Sequence, residues 1–147
     1  MTRSDNCPTC SESAAAEAIV RSLVDAWNSK EIEWISSFFH EDFENHQLPL
    51  PVVRGLEAYR EHLSRWFEAY PDLRLEIVTI FARENRVCLE TRAEGTPGAT
   101  FFGVEPVPKR VNRALDIMEL RDGKVWRQRG YWDFSLWTGR PSALAGR

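Results

Sequence analysis

The sequence is poor in the residues that build covalent or metal-held frameworks. Its 147 residues include only three cysteines and three histidines. Cys7 and Cys10 form a lone C-x-x-C in a Ser-, Asp-, Asn- and Thr-rich segment, while Cys88 sits in a strand-like run. A structural zinc site wants four ligands, and no second C-x-x-C or C-x-x-H stands in the chain to complete one. A thioredoxin-like redox pair needs a βαβ context that the pattern does not supply, so the expectation is a silent tail. The histidines are dispersed and no carboxylate cluster has ligand spacing, so no metal site is expected. A Gly-rich phosphate loop and a nucleophile elbow are both missing. No apolar run approaches the roughly 20 residues that span a bilayer. Met1 to Glu12 is polar and has no apolar h-region, so a cytoplasmic protein without a membrane partner is the default expectation. A net charge of −3 gives no electrostatic reason to expect nucleic acid.

What is present fits one soluble globular domain. Hydrophobic residues make up 43% and charged residues 28%, which excludes a disordered or fibrous class. The length allows one core. Six Trp and eight Phe are many for this length. Aromatic side chains supply large rigid walls, both for cores and for pockets that hold flat apolar ligands.

Ile19, Val20, Leu23, Val24 and Trp27 recur at helical spacing, which predicts a helix over about 13–28 with Ser11 or Ser13 as N-cap. A short second helix is expected to carry Ile32, Ile35, Phe38 and Phe39. His40 to Gln47 reads as extended, and the prolines of Leu48-Pro49-Leu50-Pro51 close it. Gly55 opens a third helix bearing Leu56, Tyr59, Leu63, Trp66, Phe67 and Tyr70, ended by Pro71-Asp72. Alternation then predicts strands over 73–82 and 86–94, and a hairpin of 111–120 with 124–134 around Asp122-Gly123. Helices followed by long antiparallel strands give an α+β order. Such strands, twisted and packed on helices along one face, curl into a half-barrel whose concave side leaves a cavity. Residues 1–12 and 139–147 are expected to be tails around a domain at 13–138.

Several motifs then occur in one order. Asn45-His46 comes first, followed by Trp66-Phe67-x-x-Tyr70-Pro71-Asp72-Leu73. Gly95-Thr96 leads to Gly103-Val104-x-Pro106. Arg121-Asp122-Gly123-Lys124-Val125-Trp126 and Gly130-Tyr131-Trp132-Asp133 close the series. Over about residues 14 to 138 the chain resembles the SnoaL-like polyketide cyclases, a branch of the fold shared by nuclear transport factor 2, ketosteroid isomerase and limonene epoxide hydrolase. The resemblance implies a cone-shaped α+β barrel, usually a homodimer, with a buried pocket and cofactor-free acid/base chemistry on a small apolar organic substrate.

The chemical groups of those relatives are not all kept. At the positions of the aldol cyclases' inward His and Asp stand Asp116 and Gly130. At two positions of the epoxide hydrolases' Arg–Asp pair stand Thr91 and Ala93, and their second Asp also falls on Gly130. Asp116 matches the oxyanion-hole Asp of the ketosteroid isomerases, but their Tyr matches Leu23 and their base falls at or beside Gln47.

Asp116 is therefore the principal candidate. Its neighbours Leu115, Ile117, Met118 and Leu120 are apolar, and desolvation raises a carboxyl pKa. A neutral Asp116 could donate to a developing oxyanion, and an ionised one could act as base. The alternative is that it points outward, paired with Arg113 or Arg129. His46 is the second catalytic candidate, either a base at the pocket rim or a satisfied surface histidine. His40 and His62 read as exposed. Gln128, Trp132 and Trp126 share the strand parity of Gly130 and are expected to face inward, with Gly130 leaving a hole for ligand or forming a bulge. Trp66, Tyr59, Phe102, Asn45 and Thr91 complete the expected substrate-binding set, although each aromatic is more often core than contact. Asp133 has the opposite parity and reads as structural. The readings in play are a cofactor-independent cyclase or isomerase of a polyketide-like natural product, an epoxide-opening cyclase or hydrolase, and a non-catalytic small-molecule binding protein.

Overall fold

The computed structural model describes residues 8–98 and 110–133. Helix α1 (Pro8–Ser29) and the short α2 (Ile32–Ser36) lead into β1 (Phe39–Gln47), the two-residue β2 (Val53–Arg54) and helix α3 (Leu56–Ala69). Strands β3 (Arg74–Arg83), β4 (Arg86–Gly95), β5 (Arg110–Arg121) and β6 (Lys124–Trp132) follow. The six strands form one open sheet in the order β2-β1-β6-β5-β4-β3. All neighbours are antiparallel except β1 and β6, which run parallel. The α+β half-barrel expected from the sequence is the fold observed.

Three boundaries differ from the sequence pattern. Helix α1 begins at Pro8, so residues expected to belong to a loose tail are helical; proline is well tolerated in a first turn, where its missing N–H has no helical partner to lose. Ser13 is inside this helix and caps nothing at its start. Its hydroxyl donates to the Thr9 carbonyl at 2.8 Å and accepts from the Glu84 N–H at 2.7 Å, pinning the helix to the β3–β4 turn. Phe39, placed by its spacing on the second helix, instead starts β1. Cys7, Phe102 and the Gly103-Val104-x-Pro106 motif lie outside the described residues.

Helix α1 buries Ala16, Val20, Leu23 and Val24 against the concave side of the sheet, the face that 3.6-residue periodicity selects. Helix α3 buries Tyr59, His62, Leu63 and Trp66 at the same spacing. Gly55 precedes it at φ 85°, a left-handed conformation that glycine adopts without a Cβ penalty. Phe39, Phe43 and Tyr59 cluster with ring centroids 4.4–4.8 Å apart, joining β1 to α3. On β4, Val87, Leu89, Thr91 and Ala93 face inward, while the residues between them face out. Strand β3 is a sheet edge, and α1 is fastened to it by Asn28. The Asn28 Nδ2 donates to the Leu75 carbonyl at 2.9 Å, and its Oδ1 accepts the Leu75 N–H at 2.8 Å. One side chain thus replaces a missing strand neighbour, and this clamp sets how far the helix stands from the sheet.

Removing both halves of the clamp leaves two backbone groups of a half-buried edge poorly satisfied. Asn28→Ala is expected to lower the unfolding free energy by about 1–3 kcal/mol, read from urea denaturation midpoints at unchanged slope.

Candidate active site

Between α1, α3 and the concave sheet face lies a cavity of about 690 Å³, counted out through its open mouth. Its lining draws on α1, α3, β1 and β3–β6, so the sheet curves around it. The walls are mainly apolar. Leu23, Val24 and Trp27 come from α1, and Trp66 from α3. Leu73, Leu75, Leu89, Ala93, Ala114, Met118 and Trp132 come from the sheet side. Amide, hydroxyl and carboxyl groups enter from the sheet side, through Gln47, Thr91, Asn112, Asp116 and Gln128 among the described residues. Asp116 is the one ionisable side chain among the described residues that line it.

Asp116 points inward and is 8% exposed. The outward alternative, in which Arg113 or Arg129 pairs with it, is not what the strand shows: Arg113 reaches Glu90 and Arg129 reaches Glu119 on the other face. Gln128 Nε2 donates to Asp116 Oδ1 at 2.9 Å, and the Gln47 side chain makes a second hydrogen bond to the same carboxyl. Burial pushes the Asp116 pKa up to about 6, and the two amide contacts restrain the rise.

Gly130 makes this arrangement possible. Asp116 pairs with it across the β5–β6 ladder. A Cβ built there would stand 2.8 Å from Gln47 Cγ and 2.9 Å from Asp116 Oδ1. The expectation that Gly130 opens a hole for ligand is therefore corrected. The space is taken by Gln47 and Asp116, which meet over the bare backbone. Gln47, named in the sequence only where the isomerases' base falls, was not expected beside Asp116; its strand parity, shared with the buried Phe43 and Asn45, was the available signal.

Gln128, Thr91, Trp66 and Trp132 line the cavity. His46 does not. It alternates with the inward Asn45 and Gln47, so its ring lies on the opposite face, 3.0 Å from Glu44 Oε2. This corrects its candidacy as base. The His46 hydrogen bond, aided by the Arg54 and Arg127 charges, holds the Glu44 carboxyl below its ordinary value.

Trp126 is also removed from the site. Arg127 pairs with Glu119 but Val125 pairs with Leu120, so Trp126 is the extra residue of a β-bulge, and parity reverses there. Val125 is fully buried, while Trp126 lines a separate groove against α1, with the guanidinium groups of Arg121 and Arg127 at 4.2 and 4.4 Å from its ring centre. Tyr59 packs behind the wall instead of forming it, and burial followed by the nearby Asp116 charge raises its pKa. Asn45 is 2% exposed and sits beside Gln128 in the β1–β6 register, behind the cavity surface. Asp133 contributes its backbone carbonyl, which accepts from Asn112 Nδ2 at 3.0 Å.

His62, expected to be exposed, is 6% exposed. Its Nε2 accepts from the Trp66 indole N–H at 3.0 Å, which orients a cavity wall. Burial, with the Arg65 charge, brings the His62 pKa down to about 4. Among the described residues no three His, Cys, Asp or Glu side chains converge where they could hold a metal ion. No helix of the described residues is long and apolar enough to cross a membrane.

The sequence profile of the SnoaL-like polyketide cyclases matches residues 17–136. No curated protein matches the chain significantly in sequence. Solved structures share its fold. A protein described as a SnoaL-like polyketide cyclase from Jannaschia sp. CCS1 superposes with a TM-score of 0.78 at 18% identity, over 96% of this chain and 99% of that one. One described as a polyketide cyclase from Xanthomonas campestris pv. campestris gives 0.79 at 22% identity, over 87% and 97%. An LEH-like epoxide hydrolase from M. tuberculosis gives 0.70 at 17% identity, over 86% and 88%.

A carboxyl whose pKa is raised by folding binds protons more tightly in the folded than in the unfolded chain. Its cost to stability therefore appears as pH rises from about 4 through about 6 and is full above that. His62 acts oppositely: stability is lost as pH falls from its ordinary value of 6.5 through about 4. Asp116→Asn keeps the shape and removes only the first effect. It is expected to be more stable than the parent above pH 7, by at most roughly 3 kcal/mol from about two pKa units. The gap should close in acid, as measured by denaturation at a series of pH values.

Proposed function

This chain belongs to the SnoaL-like polyketide cyclase family, and from that premise we propose that it is a cofactor-independent cyclase or isomerase of an apolar, polyketide-like natural product in the cytoplasm, with Asp116 moving the protons. The observation that carries this reading is a single buried carboxyl, held by two amides, at the polar side of an otherwise apolar cavity.

A pKa of about 6 suits the task. Near neutral pH the group is mostly ionised and can take an acidic proton from carbon beside a carbonyl, yet it is basic enough to matter. In an intramolecular aldol closure, the C–H electron pair forms the new C–C bond, and the C=O pair moves onto oxygen. Asp116, now protonated, returns its proton to that alkoxide. No second ionisable side chain among the described lining residues is there to share the work, so one carboxyl serves as base and then acid. The tryptophan walls and the narrow apolar floor hold a flexible chain in a reactive shape, which by itself supplies several kcal/mol in favourable cases. The Arg–Asp constellation expected of an epoxide hydrolase is missing at Thr91, Ala93 and Gly130.

Aromatic poly-β-carbonyl esters incubated in deuterium oxide provide the test, with exchange and cyclised product read by mass spectrometry. Asp116→Asn and Asp116→Ala are expected to lose roughly 100-fold or more in turnover while remaining folded. Retained turnover in both removes Asp116 from the mechanism; tight binding without product favours a carrier; an epoxide yielding only diol favours a hydrolase. For the parent, kcat/KM should rise with pH around a midpoint near 6, because the ionised form is the active base.

We also propose a homodimer through the outer sheet face. Leu115 and Tyr131 are neighbours across β5 and β6 there, 39% and 52% exposed, with Val111 and Phe81 exposed on the same sheet. Exposed apolar side chains on a sheet face are one feature of association surfaces. Leu115→Glu with Tyr131→Glu should give a monomer in light scattering after gel filtration, whereas an unchanged mass would place the interface elsewhere.

A further inference from the structure

Three amide side chains on the polar side of the cavity are each held by a hydrogen bond. Gln128 Nε2 is used on Asp116, and the Gln47 side chain is hydrogen-bonded to the same carboxyl. Asn112 Nδ2 is used on the Asp133 carbonyl. Gln128 Oε1 is buried without a hydrogen-bond partner on a side chain only 5% exposed, beside the Asp116 carboxyl that its own amide nitrogen holds. Buried polar atoms are almost always paired, so an orphan acceptor in a cavity wall points to a donor brought by a ligand.

Charge sharpens the inference. No Lys, Arg or His is among the described residues that line the cavity, so nothing there neutralises an ionised Asp116. An unpaired buried carboxylate is costly, and a ligand cation relieves that cost. The aromatic walls suit a cation as well. Trp27, Trp66 and Trp132 all line the cavity, and the Trp66 and Trp132 ring centres lie 5.6 Å apart. The Trp66 indole N–H is tied to His62 and the Trp27 side chain to Tyr59, so these two rings do not offer the ligand a competing donor. Indole faces attract ammonium groups, more so when desolvated.

We propose that the cavity binds a protonated aliphatic amine on an apolar or aromatic skeleton, with its ammonium bridging Asp116 and Gln128 Oε1 beneath the tryptophans. An ammonium carries three donors and no acceptor, so it can serve the carboxylate and Gln128 Oε1 together. Such a ligand occupies the group that would otherwise move protons, so it competes with a neutral substrate. The proposal rests on the cavity being the ligand site, and not on the proton-transfer chemistry assigned to it.

Calorimetric titration of the parent and of Asp116→Asn with phenethylamine, phenethyl alcohol and phenylacetate, at mildly alkaline pH, tests it. The parent should bind the amine at least about ten-fold more tightly than the alcohol, a difference of about 1.4 kcal/mol, and phenylacetate most weakly. Asp116→Asn should erase the preference of amine over alcohol. Gln128→Leu should weaken the amine more than the alcohol. Equal affinity of amine and alcohol for the parent, tighter binding of phenylacetate, or a preference that survives Asp116→Asn overturns the amine proposal, while alcohol binding still marks the cavity as a ligand site. Binding of none of the three overturns the amine proposal and the ligand-site reading together.

Discussion

The site depends on a contact that has no side chain on one half of it. Asp116 and Gln47 approach each other over Gly130, where a single methyl group would fall inside 3 Å of both. Because the backbone is bare, two amides reach the carboxyl, and those amides let it stay buried without a cation. Burial raises its proton affinity and the amides temper the rise. The cost in stability and the raised proton affinity are the same free energy seen from two sides.

The rest of the molecule divides the labour around that contact. The helices supply apolar wall and two tryptophans, while the amide, hydroxyl and carboxyl groups of the described lining come from the sheet side. Helix α3 does more than cover. Its His62 and Tyr59 hold the indoles of Trp66 and Trp27, so the rings are oriented by residues that do not themselves line the cavity. Asn28 fixes α1 to the edge strand that carries Leu75, another wall residue. Shape and electrostatics are thus set by separate elements.

Much of this was legible in the sequence, because it depends on local rules. Alternation in 86–94 gave β4 and its inward Thr91, and Asp122-Gly123 gave the hairpin, with both turn residues at positive φ of 52° and 73°. The inward turn of Asp116 was legible too, from its apolar neighbours and from the family pattern. What failed depended on register. One extra residue at Trp126 reverses the inside and outside of β6 below it, and no local signal announces a bulge without glycine. His46 failed through parity as well, since a rim position does not say which face a ring takes. His62 failed because a histidine on a helix reads as polar until its partner, Trp66 one turn away, is known to be buried. Gly130 failed because a missing side chain reads as empty space, when it is the neighbours that fill it.

The parallel pairing of β1 with β6 joins early and late parts of the chain. These strands are far apart in the chain, and among the described residues β1 has no other strand neighbour than the two-residue β2. Contacts of such long sequence separation cost more loop-closure entropy than local hairpins do. Gln47 at the end of β1 and Gly130 on β6 are ladder partners, so the second amide reaches the carboxyl across this long-range seam. Loosening that one seam would strip Asp116 of an amide while leaving the β5–β6 hairpin, and Gln128 on it, in register.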